Sequence, residues 1–242
     1  MLLDAEVQRL GIVLLCSAFM DDVVMSDERW RNTSAYIREL FAKEDAQLAG
    51  LMTRAVAAGV PSIDAGPESG RVLQMLTLLS GGRRVIEVGT LAGVSAIWIA
   101  RGLVPGGRLV SVDIEAKHQR IAAEEVRAAG VADRVEFRLG RGSDLLPTLM
   151  GEWGTESADL IFLDAERREY LPMMPAVKSL LRPRGVLVID NALSAGRWVA
   201  DPYEPGVARD TMDEVNRAVA ADRDFAASTI LPVGNGLLVA IR

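Results

Sequence analysis

The sequence predicts an α/β fold: a seven-stranded, mostly parallel sheet with a C-terminal antiparallel hairpin, preceded by N-terminal helices. Three observations predict it. From residue 83 onward, short apolar runs alternate with longer helical patterns, the signature of βαβ units. The last two runs are separated only by the turn around Pro232-Val233-Gly234-Asn235-Gly236, which leaves room for an antiparallel return and nothing longer. Half of the 242 residues are hydrophobic, enough to fill the core of one large domain.

Taken in order, residues 1–80 read as a helical preface, with helical spacing over 3–20, 27–58 and 68–79 and a polar loop from Pro61 to Pro67. The stretch Ile12 to Phe19 is apolar enough to need covering, by the same chain or by a second copy of it. The core follows over 81–242, and preface and core together read as a single domain, 1–242. Its strands are expected at 84–88, 108–113, 134–139, 159–164, 185–190, 226–231 and 236–241. Helices are expected at 93–102, 115–129, 168–181 and 207–221, with Gly106-Gly107, Gly130 and Pro183-Arg184-Gly185 as punctuation.

Composition excludes several classes. The net charge is −6 and no basic run occurs, so nothing marks the chain for gripping nucleic acid or an anionic membrane, and a small-molecule partner is expected. The lone Cys16 cannot form an intrachain disulfide, and no cysteine or histidine cluster of metal-binding type is present. The apolar stretch Gly11 to Met20 is too short to cross a bilayer, and Asp4 and Glu6 flank it rather than a basic leader. A cytoplasmic setting without a signal peptide is the expectation. Among the 27 basic residues only Lys43, Lys117 and Lys178 are lysines.

Gly89-Thr90-Leu91-Ala92-Gly93 follows an apolar strand and leads into a helix, so its glycines permit a tight turn and close approach of a ligand to the backbone. Asp113 ends the next strand, where a carboxylate can accept both ribose hydroxyls of an adenosine. Together they give a Rossmann-like nucleoside site. The second glycine of a dinucleotide fingerprint is replaced by Leu91, and Glu87 stands just before the turn. A cationic sulfonium is better received there than a diphosphate, which favours S-adenosylmethionine over NAD.

Asp164 ends the fourth strand and Asp190-Asn191 end the fifth, so the three side chains can converge at the carboxyl edge of the sheet. Singly each reads as a strand-end cap. Together they read as a hard oxygen site suited to Mg²⁺, with calcium and manganese as alternatives.

On these residues the chain resembles the cation-dependent class I O-methyltransferases, the group that includes catechol and caffeoyl-coenzyme A O-methyltransferases. Six stretches carry the resemblance in order along the chain: 66–70, 87–93, 139–144, 159–165, 185–191 and 231–236. The resemblance implies that Glu87, Gly89, Thr90 and Ser95 meet the methionine end of the cofactor, that Asp113 holds the ribose, and that Gly142 and Ser143 lie by the adenine. It places Ala65 and Asp164 on the cofactor side, makes Asp164, Asp190 and Asn191 the metal ligands, and gives Asp164 and Arg167 the catalytic positions. The activity it implies is metal-dependent methyl transfer to a small catechol-like acceptor by a homodimer. The alternatives are a tRNA hydroxyuridine O-methyltransferase and a non-catalytic S-adenosylmethionine-binding module.

Two departures stand out. The family's usual lysine, a candidate base, is Arg167 here, and arginine stays protonated. Asn235 replaces an aspartate common in the family and is expected to affect only its turn. His118, the single histidine, is expected to be solvent-exposed, while Trp198 and Tyr203 in the loop from Gly196 to Pro205 are candidates for covering an acceptor.

Overall fold

The structure, a computed structural model, describes residues 27–193 and 207–242. The expected helix at 3–20, with Cys16 and the apolar stretch, and the loop carrying Trp198 and Tyr203 lie outside the described residues. Residues up to Leu40 group as one unit and Phe41–Arg242 as another. Within the first, α1 spans Asp27–Leu40. The expected helix over 27–58 is therefore two helices, because Asp45 starts a new one. Its carboxylate accepts from the Leu48 N–H at 3.0 Å and caps α2 (Ala46–Ala57). α3 (Gly66–Ser80) follows the polar loop, with Pro67 in its first turn, where a missing N–H costs nothing.

The second unit continues as β1 (Arg84–Val88), α4 (Val94–Gly102), β2 (Arg108–Asp113), α5 (Ala116–Ala128), β3 (Val135–Leu139), α6 (Gly142–Trp153), β4 (Ala158–Leu163), α7 (Tyr170–Leu180), β5 (Leu181–Ile189), α8 (Val207–Ala221), β6 (Ala227–Leu231) and β7 (Leu237–Ile241). The seven strands lie in the order β3-β2-β1-β4-β5-β7-β6, with the first five parallel and β7 antiparallel to both of its neighbours. This is the expected Rossmann-like sheet with its terminal hairpin.

Two further elements differ from expectation. β5 begins at Leu181, because Pro183-Arg184-Gly185 bulges the strand instead of stopping it. Its register against β4 shifts between Ala158 and Leu160, and Arg184 takes up the strain at φ 65°. α6 carries no clear periodic signal, since Pro147 and Gly151 interrupt it. Burial of Leu146 and Leu149 against the sheet holds it as a helix.

Strand alternation sorts the core onto two faces. Val85, Leu109, Leu160 and Phe162 meet α2, α3, α4 and α5, with Trp98 buried at the centre and the Arg71 guanidinium 4.7 Å above its ring. Ile86, Val110, Ile161 and Leu187 meet α6, α7 and α8 on the other. Among the described residues no helix is long and apolar enough to cross a membrane.

At the amino edge of the sheet, buried Asp159 is fully engaged. One carboxylate oxygen accepts from the Arg83 and Arg84 N–H groups at 2.8 and 2.9 Å, and the other accepts from Arg182 Nε at 2.6 Å. Asp159→Ala leaves those donors unpaired and is expected to cost about 2–3 kcal/mol in chemical denaturation without weakening ligand binding at the opposite edge. A loss below about 0.5 kcal/mol, the range of ordinary surface changes, would contradict this account.

Candidate active site

At the carboxyl edge, the residue just beyond each of four parallel strands donates its backbone N–H across to a neighbouring strand. Gly140 donates to Asp113 O at 2.9 Å, Gly89 to Val112 O at 2.8 Å, Asp164 to Val88 O at 2.8 Å and Asp190 to Leu163 O at 3.0 Å. The chain is thus held in sheet geometry one step past the strand ends, and the side chains that follow open into a cleft of about 930 Å³.

One half of the cleft is built on the turn after β1. Gly89 has φ 104°, and its backbone lies so close to the Asp164 carbonyl that a Cβ there would collide with it. Leu91 sits at φ 46° and Gly93 at φ 88° before α4 begins. Asp113 clamps this turn. Its Oδ2 accepts from the Thr90 and Leu91 N–H groups, both at 3.0 Å, and its Oδ1 accepts from the Glu115 N–H at 2.8 Å. His118 Nδ1 stands 3.4 Å from the same Oδ1 and helps line the cleft. Its side chain is 19% exposed, so the expectation of a solvent-exposed histidine does not hold: the first turn of α5 folds it back against Asp113.

Ala65, Gly89, Thr90, Ser95, Asp113 and Gly142 line the cleft. Ser143 does not: it is exposed on the first turn of α6. Glu87 lies fully buried beneath the floor. There Ser111, its partner in the β1–β2 register, donates to Glu87 Oε2 at 2.5 Å and is itself 2.6 Å from Thr90 Oγ1. Glu87 Oε1 has no hydrogen-bond partner, and burial pushes this carboxyl up to about 8.

The oxygen-ligand half joins it without a break. Asn191, at φ 59°, points Nδ2 at Asp164 Oδ1 and Asp190 Oδ2, each 3.2 Å away. Arg167, in the short 3-10 turn after β4, lines the same wall, and its charge draws both aspartates back toward ionisation. Burial outweighs that. Asp164 is pushed up to about 6, and Asp190, which also feels the Asp164 charge, to about 7. Asp190 Oδ1 is buried with no partner. Two crowded carboxylates beside an amide, one of them with an unpartnered oxygen, fit a divalent cation, which would supply the missing charge and the missing partner together. Among the described residues no cluster of three His, Cys, Asp or Glu side chains could hold a metal.

Two contributors went unread in the sequence, and a third, Asn235, was read only for its turn. The Tyr170 hydroxyl accepts from the Ala165 N–H at 2.9 Å and donates to the Ala165 carbonyl at 3.0 Å, bracing the loop that follows Asp164. Ser111 was visible only as a polar residue inside an apolar strand. Asn235 donates from Nδ2 to Asn191 Oδ1 at 3.1 Å, and nothing local in the sequence signals that contact.

Comparison with known proteins gives a consistent result. A family model described as O-methyltransferase matches residues 37–242. The catechol O-methyltransferase of Niastella koreensis is 34% identical over 184 residues, covering 76% of this chain and 83% of that protein. Among solved structures, the O-methyltransferase TomG of Streptomyces achromogenes, involved in tomaymycin synthesis and bound to S-adenosylmethionine, superposes with a TM-score of 0.77 at 32% identity, covering 90% of this chain and 99% of that one. An O-methyltransferase from Bacillus cereus in complex with S-adenosylhomocysteine gives 0.78 at 30% identity, covering 89% and 99%.

The raised carboxyls set the sign of a pH effect. A group that holds its proton more tightly folded than unfolded adds stability below the unfolded value of about 4, and that contribution is lost as pH rises through the folded value. With cations chelated, the thermal midpoint is therefore expected to fall between about pH 4 and 7 as the buried Asp164–Asp190 pair gives up its protons, and less steeply in Asp190→Asn. A midpoint that rises there, or an unchanged slope in the variant, would refute the assignment.

Proposed function

The chain belongs to the O-methyltransferase family and is an S-adenosylmethionine-dependent O-methyltransferase, and on that premise we propose that it methylates a small catechol-like acceptor with the help of a divalent cation, Mg²⁺ by preference. One observation carries this reading: Asp164, Asp190 and Asn191 share a single cleft with the Gly89 turn, and Asp164 is in backbone contact with that turn.

In the proposed assignment, Gly89, Thr90, Ser95 and Asp113 receive the cofactor, with Ala65 and Gly142 along its sides and Asp164, Asp190 and Asn191 as the cation's ligands. Glu87 acts from beneath the floor through Ser111 and Thr90. A cation held there would supply Lewis acidity, which favours an acceptor with adjacent hydroxyls. The acceptor oxygen's lone pair forms the new C–O bond while the C–S bond of the sulfonium breaks. S-adenosylhomocysteine leaves, and the hydroxyl proton passes to water. Arg167 cannot take that proton, but its fixed positive charge on the cleft wall stabilises the anionic oxygen. The work of the protein is positioning and charge, which suits an in-line displacement.

Two expectations follow. Methyl transfer from labelled S-adenosylmethionine to a panel of catechols and caffeoyl compounds should require Mg²⁺, stop with EDTA, and disappear in Asp164→Ala. Metal-independent product would remove the cation from the reading, and cofactor binding with no product on any diol would point to a different acceptor. Separately, catechol turnover should rise with pH as the acceptor ionises, since no lysine base competes, and Arg167→Lys should flatten that rise. A pH-independent rate in the unmodified enzyme would exclude this role for Arg167.

A further inference from the structure

We infer that Asn235, on the turn between β6 and β7, is a positioning residue for the cation: its side-chain amide decides which way round Asn191 presents its own amide to Asp164 and Asp190. This inference rests on the cation reading of the site.

The main chain around Asn191 has little freedom. The hairpin turn grips it, since Ala192 N donates to Gly236 O at 2.9 Å and Leu193 N to Asn235 O at 2.8 Å. From the other side, Asn216 Nδ2 donates to Ala192 O at 2.8 Å. What remains open to Asn191 is a half-turn of its terminal amide. As it stands, Nδ2 faces the two aspartates and Oδ1 accepts from Asn235 Nδ2. An amide N–H₂ offers hydrogens to two carboxylates and no lone pair to a metal. Serving a cation requires the half-turn that brings Oδ1 inward. Asn191 Nδ2 then faces Asn235, which has to become an acceptor.

Only some side chains at 235 permit both arrangements. An asparagine carries a donor and an acceptor on one rotor, so it follows the turn of Asn191 and satisfies it either way. An aspartate only accepts, so it matches the cation-serving orientation alone. An alanine matches neither. The expectation that this position affects only its turn is thus corrected: the Asn235 carbonyl holds the chain at Leu193, and its side chain reaches into the site. Outer-shell partners that fix a ligand's orientation commonly govern metal affinity by about 10–100-fold.

The test is calorimetric titration of Mg²⁺ into the full-length protein loaded with S-adenosylmethionine, for the unmodified chain, Asn235→Ala and Asn235→Asp, with Asp190→Ala as the baseline for a lost ligand. Asn235 has an ordinary backbone conformation, so alanine does not strain the turn. The expected result is affinity about tenfold weaker or more in Asn235→Ala, affinity equal to or tighter than the unmodified chain in Asn235→Asp, and unchanged S-adenosylmethionine affinity in both. Equal Mg²⁺ affinity in all three, or equal loss in both variants, overturns the role and returns Asn235 to the turn alone. A chain that binds S-adenosylmethionine but takes up no Mg²⁺ overturns the cation reading itself, and this inference with it.

Discussion

Four backbone hydrogen bonds hold this cleft together, each running from the residue just past a parallel strand to the strand beside it. They matter because strand ends normally fray into loops whose side chains wander. Here the ladder of β3-β2-β1-β4-β5 is prolonged by one rung at Gly140, Gly89, Asp164 and Asp190. The glycine turn and the two aspartates thereby inherit the rigidity of the sheet. The contact of Gly89 with the Asp164 carbonyl follows from the same rung, since β1 and β4 are neighbours and their loops emerge side by side. A glycine at 89 is required for that reason as much as for its φ.

The carboxylates of the sheet separate by how well they are satisfied. Asp159 at the amino edge and Asp113 at the carboxyl edge each accept from three donors, which is what a structural clamp needs. Asp190 and Glu87 are buried with one oxygen unpartnered, and Asp164 crowds Asp190. Leaving such groups short of partners costs stability, and native proteins retain that cost where a ligand removes it. Placement on the edge that faces the cleft, rather than acidity as such, distinguishes the second set.

Much of the fold was legible in the chain. The parallel strands declared themselves as apolar runs, and the terminal hairpin by the closeness of its two strands. The boundaries that shifted did so for tertiary reasons. A strand absorbed Pro183-Arg184-Gly185 by bulging against β4, and α6 formed around two buried leucines despite Pro147 and Gly151. Of the site residues, those in the glycine turn and at strand ends were readable, because their roles depend on local conformation and on a carboxyl edge that any parallel sheet possesses. Ser111 and Asn235 were not, because each acts through a partner on a neighbouring strand or far along the chain, and Tyr170 and His118 were not, because the contact each makes five residues back depends on how the intervening loop folds.

By itself, then, the sequence determined the alternation of strands and helices, the nucleoside-type turn with its acidic partner, and three oxygen donors at strand ends, all of which are written in short windows of residue chemistry. Only the tertiary structure decided that the turn and the donors share one wall, that Asp113 holds the turn in place, and that a hairpin side chain reaches the amide of Asn191. The reason is physical: strand order and register set these distances, and they are fixed by burying two faces of one sheet, a property of the whole chain that no single window contains.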